Sequence, residues 1–325
     1  MRLFVLNASR DFGNAVATAL GREPDPHEER EFEDGEHKSR PLVSVRGADA
    51  FVVQGLHGGP EESPHDKLCR LLFFAATLES HGAARVTAVT PYLAYGRKDR
   101  QTKDRDPITT RYLAQLFEAV GVDRIVALEV HNVAAFQNAF RCEAIALDAR
   151  AVFLSRAAAL AGDAEVAVAS PDPGGVKRAQ LFREALEARL GRPVRSVMME
   201  KRRSAGVVSG DLLVGDVQDA RVLVLDDLIS SGGTMVRAAR ACRDAGARDV
   251  HALAMHGLFT GDASATLADP SLSGVIVSDT VPPFRLGGDA REHRVEIVSA
   301  APVVAEAIRR LHDNRSVVEL TSGEP

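Results

Sequence analysis

The chain has 325 residues, 45% of them hydrophobic, which is enough for a large core and, at roughly 150 residues per domain, for two globular units. Its formal charge of −5 gives no electrostatic footprint for nucleic acid, and no apolar run approaches the ~18 residues needed to cross a bilayer. Cys69, Cys142 and Cys242 are odd in number and lack CxxC spacing, so neither a disulfide framework nor a thiolate metal site is expected. The opening stretch MRLFVLNASRDFGN is too polar for a secretion signal, and a cytoplasmic protein is the expectation.

In chain order, a strand is expected at Leu3–Leu6, followed by an acidic loop or hairpin over Gly21–Glu36. Strands follow at Phe51–Gln54 and Val86–Val89, a helix at Ile108–Val120, and a strand from Ile125 that His131 terminates. Arg141–Ala161 shows no strong strand signal after its first residues, which places a domain boundary near residue 147. Beyond it come strand Val166–Ala169, helix Val176–Leu190, strands Val194–Met198 and Val222–Leu225, helix Met235–Ala245 and strand Ala252–Met255. Apolar runs alternating with helix-length segments predict an α/β fold with largely parallel sheets. GAARV at Gly82, GVDRI at Gly121 and GARDV at Gly246 each put a glycine between a helix and the next strand, which points to repeated units in both halves.

The stretch RVLVLDDLISSGGTM, Arg221–Met235, carries the clearest chemistry. A helix beginning near Gly233 aims unpaired N–H groups and its positive dipole end at the close of a buried strand, a place that favours an anion. Gly232 and Gly233 admit a phosphate to the backbone, Ser230, Ser231 and Thr234 add hydroxyl donors, and Asp226 and Asp227 can accept from vicinal hydroxyls. A phosphorylated sugar satisfies both halves. Ser170-Pro171-Asp172-Pro173-Gly174-Gly175 repeats the strand-to-helix construction and predicts a second anion loop. Pro91–Asp106 carries Arg97, Lys98, Arg100, Lys103 and Arg105 just after a strand, where guanidinium groups suit phosphate oxygens.

RVLVLDDLISSGGTM resembles the phosphoribosyl-binding motif of the type I phosphoribosyltransferase fold. FEDGE at Phe32–Glu36, PYLAYGRKDRQTKDRDPIT at Pro91–Thr109, SPDPGGVKRA at Ser170–Ala179, and EKRRS at Glu200–Ser204 followed by GDV at Gly215 resemble the ribose-phosphate pyrophosphokinase family. They occur in that family's order, and the resemblance covers essentially the whole chain, including the ending AEAIRRLHDNRSV. It implies two similar domains, each a mainly parallel sheet flanked by helices: residues 1–147 with the ATP-binding segments, and residues 148–325 with the ribose 5-phosphate site. The final helix is free to pack back on the first domain.

The resemblance also implies roles. Phe32 becomes an adenine-stacking surface with Asp34 and Glu36 accepting from base or ribose, and Arg97, Lys98, Asp99 and Arg100 belong to ATP. Diphosphate and Mg²⁺ meet at Asp172, Gly174 and Gly175, with His131 and Glu129 as further metal-associated positions. Lys201 and Arg203 are the catalytic cations of a mobile loop. This chain departs from the family at Lys98, where Gln is usual, at Glu129, where Asp is usual, and at Val318, where a second hydroxyl is expected. The implied reaction is diphosphoryl transfer from Mg-ATP to the anomeric hydroxyl of ribose 5-phosphate, in a dimer-based homo-oligomer as large as a hexamer, with no nucleic acid or membrane partner. Two alternatives stand beside it: a salvage phosphoribosyltransferase, which consumes the product, and a catalytically weak regulatory homologue.

Overall fold

The computed structural model describes the backbone of residues 1–204, 207–288 and 294–322, with side chains throughout except at 201–211 and 321–322. The chain divides into two compact units, one of Met1–Asp148 with Ala300–Leu320, the other built from Ala149–Ser299.

Unit 1 runs β1 (Arg2–Val5), α1 (Arg10–Leu20), β2 (His27–Glu31), β3 (His37–Pro41), β4 (Asp49–Val53), α2 (Pro64–Ser80), β5 (Arg85–Thr90), α3 (Thr109–Ala119), β6 (Arg124–Leu128), α4 (Val133–Ala139) and β7 (Glu143–Leu147). Strands β1, β4, β5, β6 and β7 form an all-parallel sheet in that order, and β2 with β3 makes a separate antiparallel hairpin. Alternation along the strands sends Phe4, Ala50, Val52 and Ala88 into one buried cluster with Leu71, Phe74 and Leu78 of α2 and Leu113 and Phe117 of α3. Each such Phe or Leu contributes about 1.5–3 kcal/mol by leaving water. Helix α2 starts sharply: Ser63 Oγ accepts from the Asp66 N–H, the Asp66 carboxylate accepts from the Ser63 N–H, and Pro64 occupies the first turn.

Unit 2 runs α5 (Ala149–Ala161), β8 (Val166–Ser170), α6 (Val176–Leu190), β9 (Arg195–Ser204), β10 (Val207–Val214), β11 (Arg221–Ile229), α7 (Gly233–Asp244), β12 (Asp249–Gly257), α8 (Ala263–Leu267), β13 (Gly274–Ser278) and β14 (Val295–Val298). Among the described residues its sheet has the order β10-β9-β8-β11-β12-β13-β14, antiparallel only between β9 and β10. From β8 the chain passes through α6 to β9 on one side, while β11 lies on the other. The strand order therefore reverses between β8 and β11, and a crevice opens beyond their carboxyl ends.

Helix α9 (Ala301–His312) belongs to unit 1. It packs along α1 and is fastened to the start of the sheet by a polar contact: His312 Nδ1 lies 2.9 Å from the Asp49 carboxylate, which also accepts from Arg85 at 2.7 and 2.8 Å and from Arg124 at 3.0 Å. Burial pushes the Asp49 carboxyl up, but bonds from Arg85 and His312 and the charge of Arg124 outweigh it and hold the group below its ordinary value.

The expected strands are all present, with informative differences in length. β11 continues through Asp226 and Asp227 to Ile229 instead of ending at Leu225, and β9 continues to Ser204 instead of ending at Met198. Arg141–Ala161, expected to show no strong strand signal after its first residues, contains β7 near its start and then helix α5. Gly82, Gly121 and Gly246 all have left-handed φ, at 83°, 78° and 89°. Each donates back to the helix it closes, and the residue after it (Ala83, Val122, Ala247) bonds the carbonyl five positions earlier. One helix-ending motif thus recurs in both units.

Candidate active site

β11 pairs with β8 only as far as Val224, but with β12 as far as Ile229. The segment carrying Asp226 and Asp227 is therefore held from one side and open to the crevice on the other. Asp227 is buried and Asp226 half-buried. Arg178, on α6, brings its Nη1 to 3.3 Å from Asp226 Oδ1 and 3.9 Å from Asp227 Oδ1. Burial and the adjoining Asp227 carboxyl push the Asp226 carboxyl well above the ordinary carboxylate range, and Arg178 acts in the opposite direction. Sugar hydroxyls donating to these oxygens would favour the ionised form in the same way.

Beyond Ile229 the chain turns through Ser230, Ser231 and Gly232 into α7. Gly232 has φ of 84°, and a Cβ there would lie 2.8 Å from Leu267 Cδ2, so the turn requires glycine. No side chain caps α7 and no acidic residue stands in its first turn. Its leading N–H groups and dipole face the crevice, with Gly233 and Thr234 at the mouth and Arg237 Nη2 3.5 Å from Thr234 Oγ1.

The loop after β8 is tied internally. Asp172 Oδ1 accepts from the Gly174 and Gly175 N–H groups at 2.8 and 3.1 Å, and Ser170 Oγ donates to the Asp172 carbonyl at 2.6 Å. Asp172 Oδ2 has no partner among the described residues. The Cβ position of Gly175 falls 3.5 Å from Arg178 Nη1, so one guanidinium touches both the glycine loop and the carboxylate pair. Sequence reasoning passed over Arg178, although it stands inside SPDPGGVKRA.

Lys201 and Arg203 have backbone in β9, in register with Asp211 and Val208 of β10; their side chains lie outside the described residues.

In unit 1, Phe32, Asp34 and Glu36 form the tip of the β2–β3 hairpin and are exposed, with the Arg30 guanidinium 5.1 Å from the Phe32 ring centre. Arg97 and Arg100 are exposed and have no bonded partner among the described residues, whereas Lys98 directs its ammonium to Asp106 and to Thr102 within its own loop. Asp99 accepts from the Asn132 side chain at 2.6 Å, joining the loops after β5 and β6. Glu129 is buried with a left-handed φ of 41°, and His131 is exposed two residues later. A non-glycine residue held this way costs on the order of 1–3 kcal/mol, and such positions concentrate at ligand sites. Among the described residues no three His, Cys, Asp or Glu side chains gather as a metal cage.

Two parallel-sheet units, one with an uncapped helix and paired carboxylates at its switch point, define a two-domain phosphoribosyltransferase-like α/β protein. Residues 1–121 match the N-terminal domain of ribose phosphate pyrophosphokinase, and residues 211–321 match the phosphoribosyl synthetase-associated domain. The chain belongs to the ribose-phosphate pyrophosphokinase family. It is 33% identical over 324 residues to the ribose-phosphate pyrophosphokinase of Caldanaerobacter subterraneus subsp. tengcongensis, covering 98% of this chain and 97% of the relative. It is 31% identical to ribose-phosphate pyrophosphokinase A of Dictyostelium discoideum, covering 99% and 98%. The crystal structure of phosphoribosylpyrophosphate synthetase from Mycobacterium smegmatis superposes with a TM-score of 0.85 at 31% identity, over 96% of this chain and 99% of that one.

Proposed function

We propose that this chain is a ribose-phosphate diphosphokinase: it transfers the diphosphoryl group of ATP to the anomeric hydroxyl of ribose 5-phosphate, giving phosphoribosyl pyrophosphate and AMP. The observation that carries this reading is the bare N-terminus of α7 beside the buried Asp226–Asp227 pair, which offers donors to a phosphate and acceptors to vicinal hydroxyls in one crevice. The 5-phosphate sits on Ser230–Thr234 and the ring hydroxyls on Asp226 and Asp227. The anomeric oxygen attacks the β-phosphorus of ATP, the bond from that phosphorus to the α–β bridging oxygen breaks, AMP departs with that oxygen, and the hydroxyl proton passes to solvent. Such a step depends on positioning and charge rather than on a covalent nucleophile. Lys201 and Arg203 are assigned to the charge developing on the transferred group. Phe32, Asp34 and Glu36 are assigned to adenine and ribose, and Arg97, Lys98, Asp99 and Arg100 to the rest of ATP.

Mg²⁺ fits the donor set, since Asp172 Oδ2 is a hard oxygen without a partner among the described residues, and this ion is commonly held by one or two carboxylates together with substrate phosphates. Asp172, with Gly174 and Gly175 around the diphosphate, would hold it in unit 2; Glu129 and His131, in the loop after β6 of unit 1, are the further positions that the family resemblance associates with the metal. When bound it supplies positive charge to phosphate oxygens. A homo-oligomer built on dimers, with the Phe32 hairpin serving a neighbour's nucleotide, accords with the exposure of that tip. No helix among the described residues is long and apolar enough to cross a membrane, and three free thiols suit a reducing compartment such as the cytoplasm.

A salvage transferase would share the loop after β11, but the match of residues 1–121 to the pyrophosphokinase N-terminal domain favours the synthetase. AMP release from ATP, measured with and without ribose 5-phosphate and Mg²⁺, tests the proposal; AMP formation that ignores ribose 5-phosphate, or fails altogether, sinks it.

A further inference from the structure

We infer that Thr260 is a positioning residue for the sugar-phosphate loop, acting through Ser230; this rests on the placement of ribose 5-phosphate proposed above. Thr260 comes from the segment after β12, not from the loop itself. Its Oγ1 lies 2.7 Å from Ser230 Oγ, and its N–H donates to the Ser230 carbonyl at 3.0 Å. The two residues before it, Leu258 and Phe259, both donate to the Ile229 carbonyl, at 2.9 and 3.1 Å. Further along the same segment, Leu267 fills the space where a Cβ of Gly232 would stand. The stretch 258–267 is thus a fitted base beneath Ile229–Gly232.

The base is held under backbone strain. Phe259 is buried with φ of 47°, a left-handed conformation that is an outlier for so bulky a residue. Its ring fills the space beside Gly257, where a Cβ would stand only 2.4 Å away. That kink turns the chain so that Thr260 meets Ser230.

Counting hydrogens fixes the direction of the bond once a phosphate is present. A phosphate dianion only accepts, so a Ser230 hydroxyl that donates to it has only lone pairs left for Thr260. Thr260 must then donate to Ser230. Its hydroxyl has no other polar partner among the described residues, so that hydrogen is available for the task. The result, with a phosphate bound, is a Ser230 hydrogen aimed away from the loop base and toward the ligand; without one, either hydroxyl of the pair can donate.

Thr260→Val keeps the branched shape and removes the donor, and Thr260→Ser keeps the donor. Given wild-type enzyme that releases AMP on addition of ribose 5-phosphate, Thr260→Val should raise KM for ribose 5-phosphate roughly three- to ten-fold, the scale of one neutral hydrogen bond. KM for ATP and kcat should stay within about two-fold, and Thr260→Ser should restore the wild-type KM. In a Ser230→Ala background the valine substitution should add nothing further, because the two hydroxyls act as one unit. An unchanged KM in Thr260→Val, a full extra loss in the Ser230→Ala background, or a joint fall in kcat and in affinity for both substrates overturns the inference. If melting shows that Thr260→Val does not fold, Thr260→Ala carries the same measurements. Wild-type enzyme without ribose 5-phosphate-dependent AMP release overturns the proposed function, and this inference with it, before any variant is made.

Discussion

Helices α2 and α7 end alike and begin differently. Both finish in the same left-handed glycine motif, at Gly82 and Gly246. At the other end α2 is closed by its own residues, with the Ser63 hydroxyl on the Asp66 N–H and the Asp66 carboxylate returning to Ser63. α7 has glycine at the corresponding place, no side-chain cap and no first-turn acid. The same helix terminus is worth stability when a side chain satisfies it and binding when a ligand does. Stability-type and ligand-type ends can therefore be told apart by who supplies the acceptor.

Gly232→Val should disturb the open end most. It forces a β-branched residue into a left-handed turn against Leu267, and a displacement of about 1 Å in a substrate-positioning loop is enough to cost on the order of 10²-fold in kcat/KM for ribose 5-phosphate. Steady-state kinetics on folded enzyme checks this, and a loss of less than about three-fold would mean that the loop does not hold the phosphate.

Asp227→Asn is the next largest. It removes acceptor charge beside the same crevice, so KM for ribose 5-phosphate should rise roughly ten-fold, as for one charge-assisted hydrogen bond, with KM for ATP nearly unchanged. Equal weakening of both substrates would move Asp227 out of the sugar site.

Ser63→Ala should do the reverse at the closed end. Losing this cap costs about 1 kcal/mol, a drop of roughly 2–4 °C in melting temperature for a unit of this size, with kcat and both KM values unchanged. A kinetic effect without a thermal one would break the contrast.

The smallest effect concerns pH. Burial holds the His251 imidazole below its ordinary 6.5, and the Asp249 carboxylate only partly offsets this. The folded state thus favours the neutral ring while the unfolded chain takes up a proton. The stability involved is fully present above 6.5 and is lost as pH falls below it. His251→Asn should flatten the fall in melting temperature between about pH 7.5 and 5.5. An equally steep fall in that variant would assign the pH dependence elsewhere, with His37, likewise lowered by burial, the next group to replace.

The uncapped start of α7 could be read directly from sequence, because Gly232 and Gly233 after an apolar strand supply a turn without a capping side chain. The reach of β11 could not: carboxylates at Asp226 and Asp227 look like a strand end, and only the one-sided pairing with β12 shows how they stay in the sheet. Arg178 was hidden for another reason. An arginine in the first turn of a helix carries no mark of whether it faces solvent or a carboxylate pair three strands further along the sequence. β7 and β14 are hard to read because they are edge strands whose exposed positions blur the apolar run, whereas β13 is a buried apolar run as long as β8 and was legible. α2 is legible from its capping box, Ser63 with Asp66, and from Pro64 in its first turn.

Helix α9 gives the chain an unusual order of assembly. Asp49 and Arg124 emerge early in synthesis, yet two of their partners, His312 and the Leu311 carbonyl, are translated only after Ala149–Ser299 of unit 2. On the ribosome, unit 1 must wait with the α9-facing side of α1 uncovered while the intervening residues are made and folded, a period of order ten seconds or more at 5–20 residues per second. Helix α9 is therefore a latch on the first-made half, and premature termination before it leaves that half, not the nearer one, without its closing piece.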